Sequence, residues 1–166
     1  KLTQCGFDIG DEFCEKNYRN VLAEAAKVGN SVCVDMESSD YTERTLQMME
    51  RVFPDMPNTG TVLQSYLRRS IDDTKRMIKL GCSIRVVKGA YLEPATVAFE
   101  DKKDVDRVYV EMCHMLLRDG NNPAIATHDE KIVNQILDFV KREKIDPKSY
   151  EFQMLFGIRR DLQDRL

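Results

Sequence analysis

Ile84-Arg85-Val86-Val87-Lys88-Gly89-Ala90-Tyr91 is a β-prone run in which basic residues break an apolar strand and a glycine follows it. Period-2 alternation sets Arg85 and Val87 on one side and Val86 and Lys88 on the other, and Gly89 lets a ligand approach the backbone closely. A guanidinium in the middle of a buried apolar strand is costly unless an anionic or electron-rich group pairs with it. Arg85 is therefore the best single candidate for chemistry, with a purely structural ion pair as the alternative.

Working outward, similar runs lie at Ser31 to Met36, Gly60 to Tyr66, Pro123 to Thr127 and Tyr150 to Leu155, and Lys1 to Gln4 reads as the end of one more. Apolar residues of both parities predict strands covered on both faces, as parallel strands are. Five amphipathic stripes separate them. One runs from about Asp11 to Gly29, a second through Leu46, Met49 and Val52 to Pro54, and a third from a capping Ser70 to Gly81. The fourth runs from about Asp104 to Gly120, and the fifth is opened by Asp129 and carries Ile132, Ile136 and Val140.

Strand and helix alternating along the whole chain predict an α/β fold with a parallel sheet. The strands end in Lys1, Asp35, Gln64, Lys88, Thr127 and Gln153, 24 to 39 residues apart, close to the ~31 residues per unit of an eight-unit barrel. A doubly wound sheet gives similar spacing. A residue able to do chemistry at every strand end favours the barrel, where all strands deliver their C-terminal ends to one site.

Composition narrows the classes. A chain of 166 residues predicts one domain, here residues 1–166. Its 25 basic and 28 acidic residues are well mixed, net charge −3, which provides no footprint for nucleic acid and no polybasic membrane anchor. No apolar run approaches the ~20 residues that span a bilayer. Five cysteines without a C-x-x-C pair argue against a disulfide framework or structural zinc and for a reducing compartment; no metal is expected. The chain opens on Lys1-Leu2-Thr3 without an initiator Met, which reads as a cut in a longer protein. Rossmann, P-loop, zinc-protease and nucleophile-elbow signatures are absent, so any nucleotide cofactor needs another framework.

Other polar residues carry two readings each. Asp35 and Glu37 are carboxylates at a strand end, one of them expected to point into a site, although a capping or loop-ordering Asp is as reasonable. Gln64 is a buried amide that a planar heterocycle or a neighbouring backbone would satisfy. His128 sits at a strand-to-helix turn, where a lone His is more often structural. His114 lies off the apolar stripe of its helix and is expected in solvent. Arg68-Arg69 and Arg159-Arg160 read as solvated charge at helix approaches rather than phosphate sites. The stretch from Lys88 to Asp104 is the longest connection, and long loops at this end of a strand are usually functional.

Lys1-Leu2-Thr3-Gln4, Val34-Asp35-Met36-Glu37, Leu63-Gln64-Ser65-Tyr66-Leu67-Arg68-Arg69, Arg85-Val86-Val87-Lys88-Gly89-Ala90-Tyr91, Ala126-Thr127-His128 and Glu151-Phe152-Gln153-Met154-Leu155 together resemble, in order and spacing, the proline dehydrogenase family, most closely its short monofunctional bacterial form. The resemblance implies a partial (βα)8 TIM-like barrel, about six of the eight units, holding FAD at its C-terminal face. It also implies oxidation of L-proline to Δ1-pyrroline-5-carboxylate, with hydride passing to flavin N5 and electrons to a membrane quinone. By position, Asp35 and Arg85 would be catalytic. Met36, Gln64, Arg85, Lys88, Gly89, Ala90, Thr127 and His128 would contact FAD, and Lys1, Tyr91 and Leu155 would shape the proline pocket. The implied location is the cytoplasm, with at most a peripheral visit to the inner membrane.

The family's first strand and its last strand–helix pair, which carries two arginines for the proline carboxylate, have no counterpart here, and Arg159-Arg160 lie in the preceding unit. A barrel missing two units has open edges, so the isolated chain is expected to fold poorly and to lack activity. Two other readings compete: a Schiff-base aldolase-type barrel with Lys88 as nucleophile, and a barrel remnant without catalysis.

Overall fold

The computed structural model describes residues 1–166. Helices α1 (Asp11–Lys27), α2 (Ser39–Val52), α3 (Ser70–Leu80), α4 (Lys102–Asp119), α5 (Glu130–Glu143) and α6 (Arg160–Gln163) alternate with strands β1 (Val32–Val34), β2 (Thr59–Gln64), β3 (Ser83–Val87), β4 (Ala124–Ala126) and β5 (Glu151–Gln153). All strand pairs are parallel and the spatial order is the chain order, β1 to β5. Each strand thus reaches its neighbour through a helix, the repeating unit of a barrel, and β1 and β5 form the sheet's two edges.

The helices start and stop for local reasons. Asp101 accepts from the amide of Lys103 at 2.8 Å and Asp129 from that of Lys131 at 3.1 Å, capping α4 and α5. Gly81 ends α3 with φ 84°, its amide returning to Met77 and Ile78, a left-handed cap that glycine adopts without strain. Ser70 is not the cap of α3 but its first residue; its hydroxyl donates to the Gln64 carbonyl, tying the helix start to the end of β2.

One face of the sheet is sealed. Val34, Leu63, Ile84, Val86 and Ile125 are buried beneath the helices with Leu22, Met49, Met77, Met112 and Ile136, and Tyr109 of α4 donates its hydroxyl to the Val86 carbonyl at 3.2 Å. The opposite row of β3, Ser83, Arg85 and Val87, is only half-buried. Burial on both faces, expected from the apolar parity, holds along β2 but fails at the inner positions of β3 and at Cys33 of β1, where the open sheet faces a cavity.

The opening residues also differ from expectation. Leu2–Cys5 form a 3-10 turn rather than a strand end, because Leu2 is buried against α1, where Cys14 Sγ lies 3.4 Å from its carbonyl oxygen. His114 is not in solvent. Its ring stacks on Phe139 of α5 with centroids 3.8 Å apart, and Nε2 is buried without a partner. Burial, with Arg118 and Arg142 nearby, pulls its pKa below the usual imidazole value.

Candidate active site

The C-terminal ends of β1 to β4 open onto a groove of about 720 Å³. Val62, Val87 and Ala126 give it an apolar floor, and Met36 adds a side chain from the turn after β1. Asp35, Gln64, Lys88, Gly89, Ala90, Tyr91, Thr127, His128 and, from either end of the chain, Lys1 and Leu155 complete its predicted members. Arg85 lies one step lower. It lines the adjoining inner cavity with Cys33, Asp35 and Gln153, and a side depression with His128 and Leu155.

Arg85 Nη1 donates to Asp35 Oδ1 at 2.9 Å and Nε to Gln153 Oε1 at 2.5 Å. The Arg85 side chain is 28% exposed and that of Asp35 58%. The guanidinium is therefore not the buried charge that the apolar strand implied; it projects from the open inner row, with donors left over for a further acceptor.

Lys88, three residues on, points the other way. Its Nζ forms ion pairs with Asp106 Oδ1 of α4 at 2.7 Å and with Asp129 Oδ2, the cap of α5, at 3.0 Å. Lys102 pairs with the same two carboxylates. Burial opposes the charge of Asp129, but hydrogen bonds and charge from Lys88 and Lys102 outweigh it and hold the carboxyl at about 2. Asp106 is held below its usual range by the same opposed causes. An amine committed to two carboxylates is badly placed to attack a carbonyl carbon, which counts against the aldolase reading.

Gln64 finds its partner in the backbone, Nε2 donating to the Glu37 carbonyl at 2.9 Å. Thr127 Oγ1 accepts from the Asp129 amide at 3.1 Å. His128 Nε2 accepts the Leu155 amide at 2.9 Å, which leaves the proton of a neutral ring on Nδ1 and ties the fourth strand end to the fifth. Gly89 has φ 118°, and a Cβ there would come within 2.3 Å of the Tyr66 ring. The space a side chain would need there is taken by the Tyr66 ring, and alanine would require that ring to move.

Lys1 Nζ donates to the Tyr91 hydroxyl at 2.6 Å, a bond that pushes the lysine pKa up. Tyr91 belongs to the long β3–α4 connection, which is braced on residues 65–68: Phe99 donates its amide to Tyr66 at 2.7 Å and Arg68 to Val97 at 3.0 Å. The arginine pairs behave as solvated or structural charge. Arg69 binds Asp73 and Glu43, Arg68 lies 4.7 Å over the Phe99 ring, and Arg159 binds Glu130 and Asp161.

Sequence reasoning missed Asp106, Asp129, Gln153, Glu37 and Glu93 as partners of the site residues. Asp129 was legible only as a helix cap, and Asp106 only as a carboxylate four residues after Lys102 on one helix face.

A sequence model of the family described as proline dehydrogenase matches residues 2–166. The proline dehydrogenase of Deinococcus radiodurans is 43% identical over 159 residues, covering 95% of this chain and 51% of its own. Proline dehydrogenase 1 of Bacillus subtilis strain 168 is 37% identical over 166 residues, covering 100% of this chain and 55% of its own. The chain thus spans about half the length of these relatives. Among solved structures, proline utilization A from Bdellovibrio bacteriovorus, inactivated by N-propargylglycine, superposes with a TM-score of 0.84 over 93% of this chain and 18% of that one, at 24% identity. Proline utilization A of Bradyrhizobium japonicum gives 0.83 at 22% identity over the same shares, 93% and 18%. These two likenesses speak for the barrel-like fold.

Proposed function

The chain belongs to the proline dehydrogenase family, and we propose that it forms the central part of the active site of an FAD-dependent enzyme oxidising L-proline to Δ1-pyrroline-5-carboxylate. The observation that carries this reading is convergence: eleven of the twelve residues implied by the family resemblance, scattered from Lys1 to Leu155, line one groove, and Arg85 lies directly beneath it. In this reading residues 1–166 are one incomplete barrel domain, inactive alone, with the remaining strands supplied by the parent protein.

The groove suits a flavin. Its apolar side chains Val62, Val87 and Ala126 suit the body of a fused ring, and the polar groups around them, Gln64, Lys88, Thr127 and His128, suit a heterocycle's rim. FAD held here would supply the hydride acceptor, with a membrane quinone as the proposed electron acceptor. The protein's part is orientation and charge. Met36, Gln64, Lys88, Gly89, Ala90, Thr127 and His128 would hold the cofactor. Arg85, with donors free beyond Asp35 and Gln153, would place positive charge where negative charge develops. Asp35 would keep Arg85 in that position and supply the site's acidic group. Lys1, Tyr91 and Leu155 would wall the proline pocket, and the Lys1–Tyr91 bond would tie two sides of its rim together.

No helix of the structure is long and apolar enough to cross a membrane. We place the parent protein in the cytoplasm, touching the inner membrane only to deliver electrons. The test is the visible spectrum of the full-length protein before and after anaerobic L-proline. A flavin band that bleaches is expected; a colourless, well-folded protein unable to take up FAD would sink the reading.

A further inference from the structure

Two carboxylates outside the implied site residues make the same unusual contact. Glu37 accepts from both the amide and the hydroxyl of Thr3, at 3.2 and 2.9 Å. Glu93 accepts from both the amide and the hydroxyl of Ser39, at 2.7 and 2.5 Å. In each case one carboxylate oxygen takes the N–H and the other the O–H of a single residue, a two-point grip that fixes orientation as well as distance.

The grips connect three separate segments. Glu37 joins the turn after β1 to the opening 3-10 turn that carries Lys1. Glu93 joins the β3–α4 connection, two residues past Tyr91, to the start of α2 on the far side of that same turn. The third link is the bond from Lys1 Nζ to the Tyr91 hydroxyl at 2.6 Å. Residues 1–5, 35–39 and 88–93 therefore form a closed ring of polar contacts over the groove. Glu37 also presents its carbonyl to Gln64 at 2.9 Å, so the ring is seated on the end of β2.

We propose that Glu37 and Glu93 are positioning residues that set the distance between Lys1 and Tyr91 and so shape the mouth of the substrate pocket. Neither carboxylate lines the groove. They act through the segments they hold, and because the ring is closed, releasing either grip frees the Lys1–Tyr91 pair. The inference rests on the groove being a proline pocket, and its tests are chosen so that the two readings fail separately.

In the full-length protein, Glu37→Gln and Glu93→Gln are each expected to raise the KM for L-proline roughly ten-fold, the scale of one lost charge-assisted hydrogen bond. FAD content should be retained and kcat should change less than about three-fold, because the chemical step itself is untouched. The double variant should be no worse than the worse single one, since a ring opens only once. Glu93→Asp, which keeps the charge, should recover much of the KM. Amide exchange in residues 1–5 and 88–93 should quicken in both variants, measured without substrate. Should either variant fold poorly, Ser39→Ala and Thr3→Val remove the hydroxyl half of each grip and carry the same expectation at smaller size.

Additive KM effects, or quickened exchange confined to α2 in Glu93→Gln with KM unchanged, would reduce Glu93 to a helix cap and overturn the proposal. A wild-type flavin that L-proline does not bleach would instead defeat the substrate reading, while the exchange measurement still judges the ring.

Discussion

Arg85 and Lys88 stand three residues apart on the same strand end, each paired with acidic or amide groups brought from distant parts of the chain, yet their surroundings differ in kind. Arg85 leans into the open inner cavity, held on two sides by Asp35 and Gln153 and open on the rest. Lys88 turns toward the helices and lies between Asp106 and Asp129, carboxylates it shares with Lys102. The two acids and two lysines compensate one another and brace the starts of α4 and α5 against β3. A single partial ion pair leaves Arg85 able to meet incoming charge. An odd step past the end of β3 separates the two: Arg85 keeps donors open to incoming charge, while Lys88, at the groove's edge, is committed to two carboxylates of the helices.

Arg85→Ala in the full-length protein breaks the comparison most strongly. Turnover of L-proline should fall about 100-fold or more, the usual scale for losing a charged group aimed at developing charge, with little change in thermal midpoint. Rates of anaerobic flavin bleaching measure it. Lys88→Met should in addition cost stability, by about 1–2 kcal/mol in urea melts, because two carboxylates with side chains only 26% and 24% exposed lose their shared partner. Adding Asp129→Asn to that variant should restore part of the loss.

Acid should sharpen the contrast further. The Asp129 carboxyl is held at about 2 in the fold against an ordinary 3.8. Its contribution is therefore fully present above the ordinary value and lost as pH falls through about 2. Asp129→Asn should flatten that acid limb in pH-dependent melts. The smallest effect is expected for Gln153→Leu, which removes one of Arg85's two supports and should lower kcat/KM by less than about ten-fold in steady-state assays.

The sheet and the five long helices were legible because each leaves a local mark: stripes such as Cys14, Tyr18 and Leu22 on α1, stops such as Gly81, and the aspartate ahead of α5, whereas the Asp101 cap of α4 was passed over for Asp104, a turn inside the helix. Short elements left none. The 3-10 turn at Leu2–Cys5 has the apolar content of a strand end, and α6 spans four residues behind an Arg159 in left-handed conformation. Within the site, residues at strand ends could be named in advance, since topology alone delivers them to one face. Their partners could not. Asp106 comes from the helix after Lys88, Gln153 lies 68 positions from Arg85, and Glu93 reaches Ser39 across 54, distances that only tertiary packing closes. His114 was misjudged for the same reason: a ring off the apolar stripe of α4 is half-buried by stacking on α5, which helix periodicity does not see.

The order of the strands is the order of the chain. Every strand after β1 docks on the one made just before it, so from the second unit onward the nascent polypeptide has its template waiting as each unit leaves the ribosome. Growth by addition to one edge lets synthesis and assembly keep step.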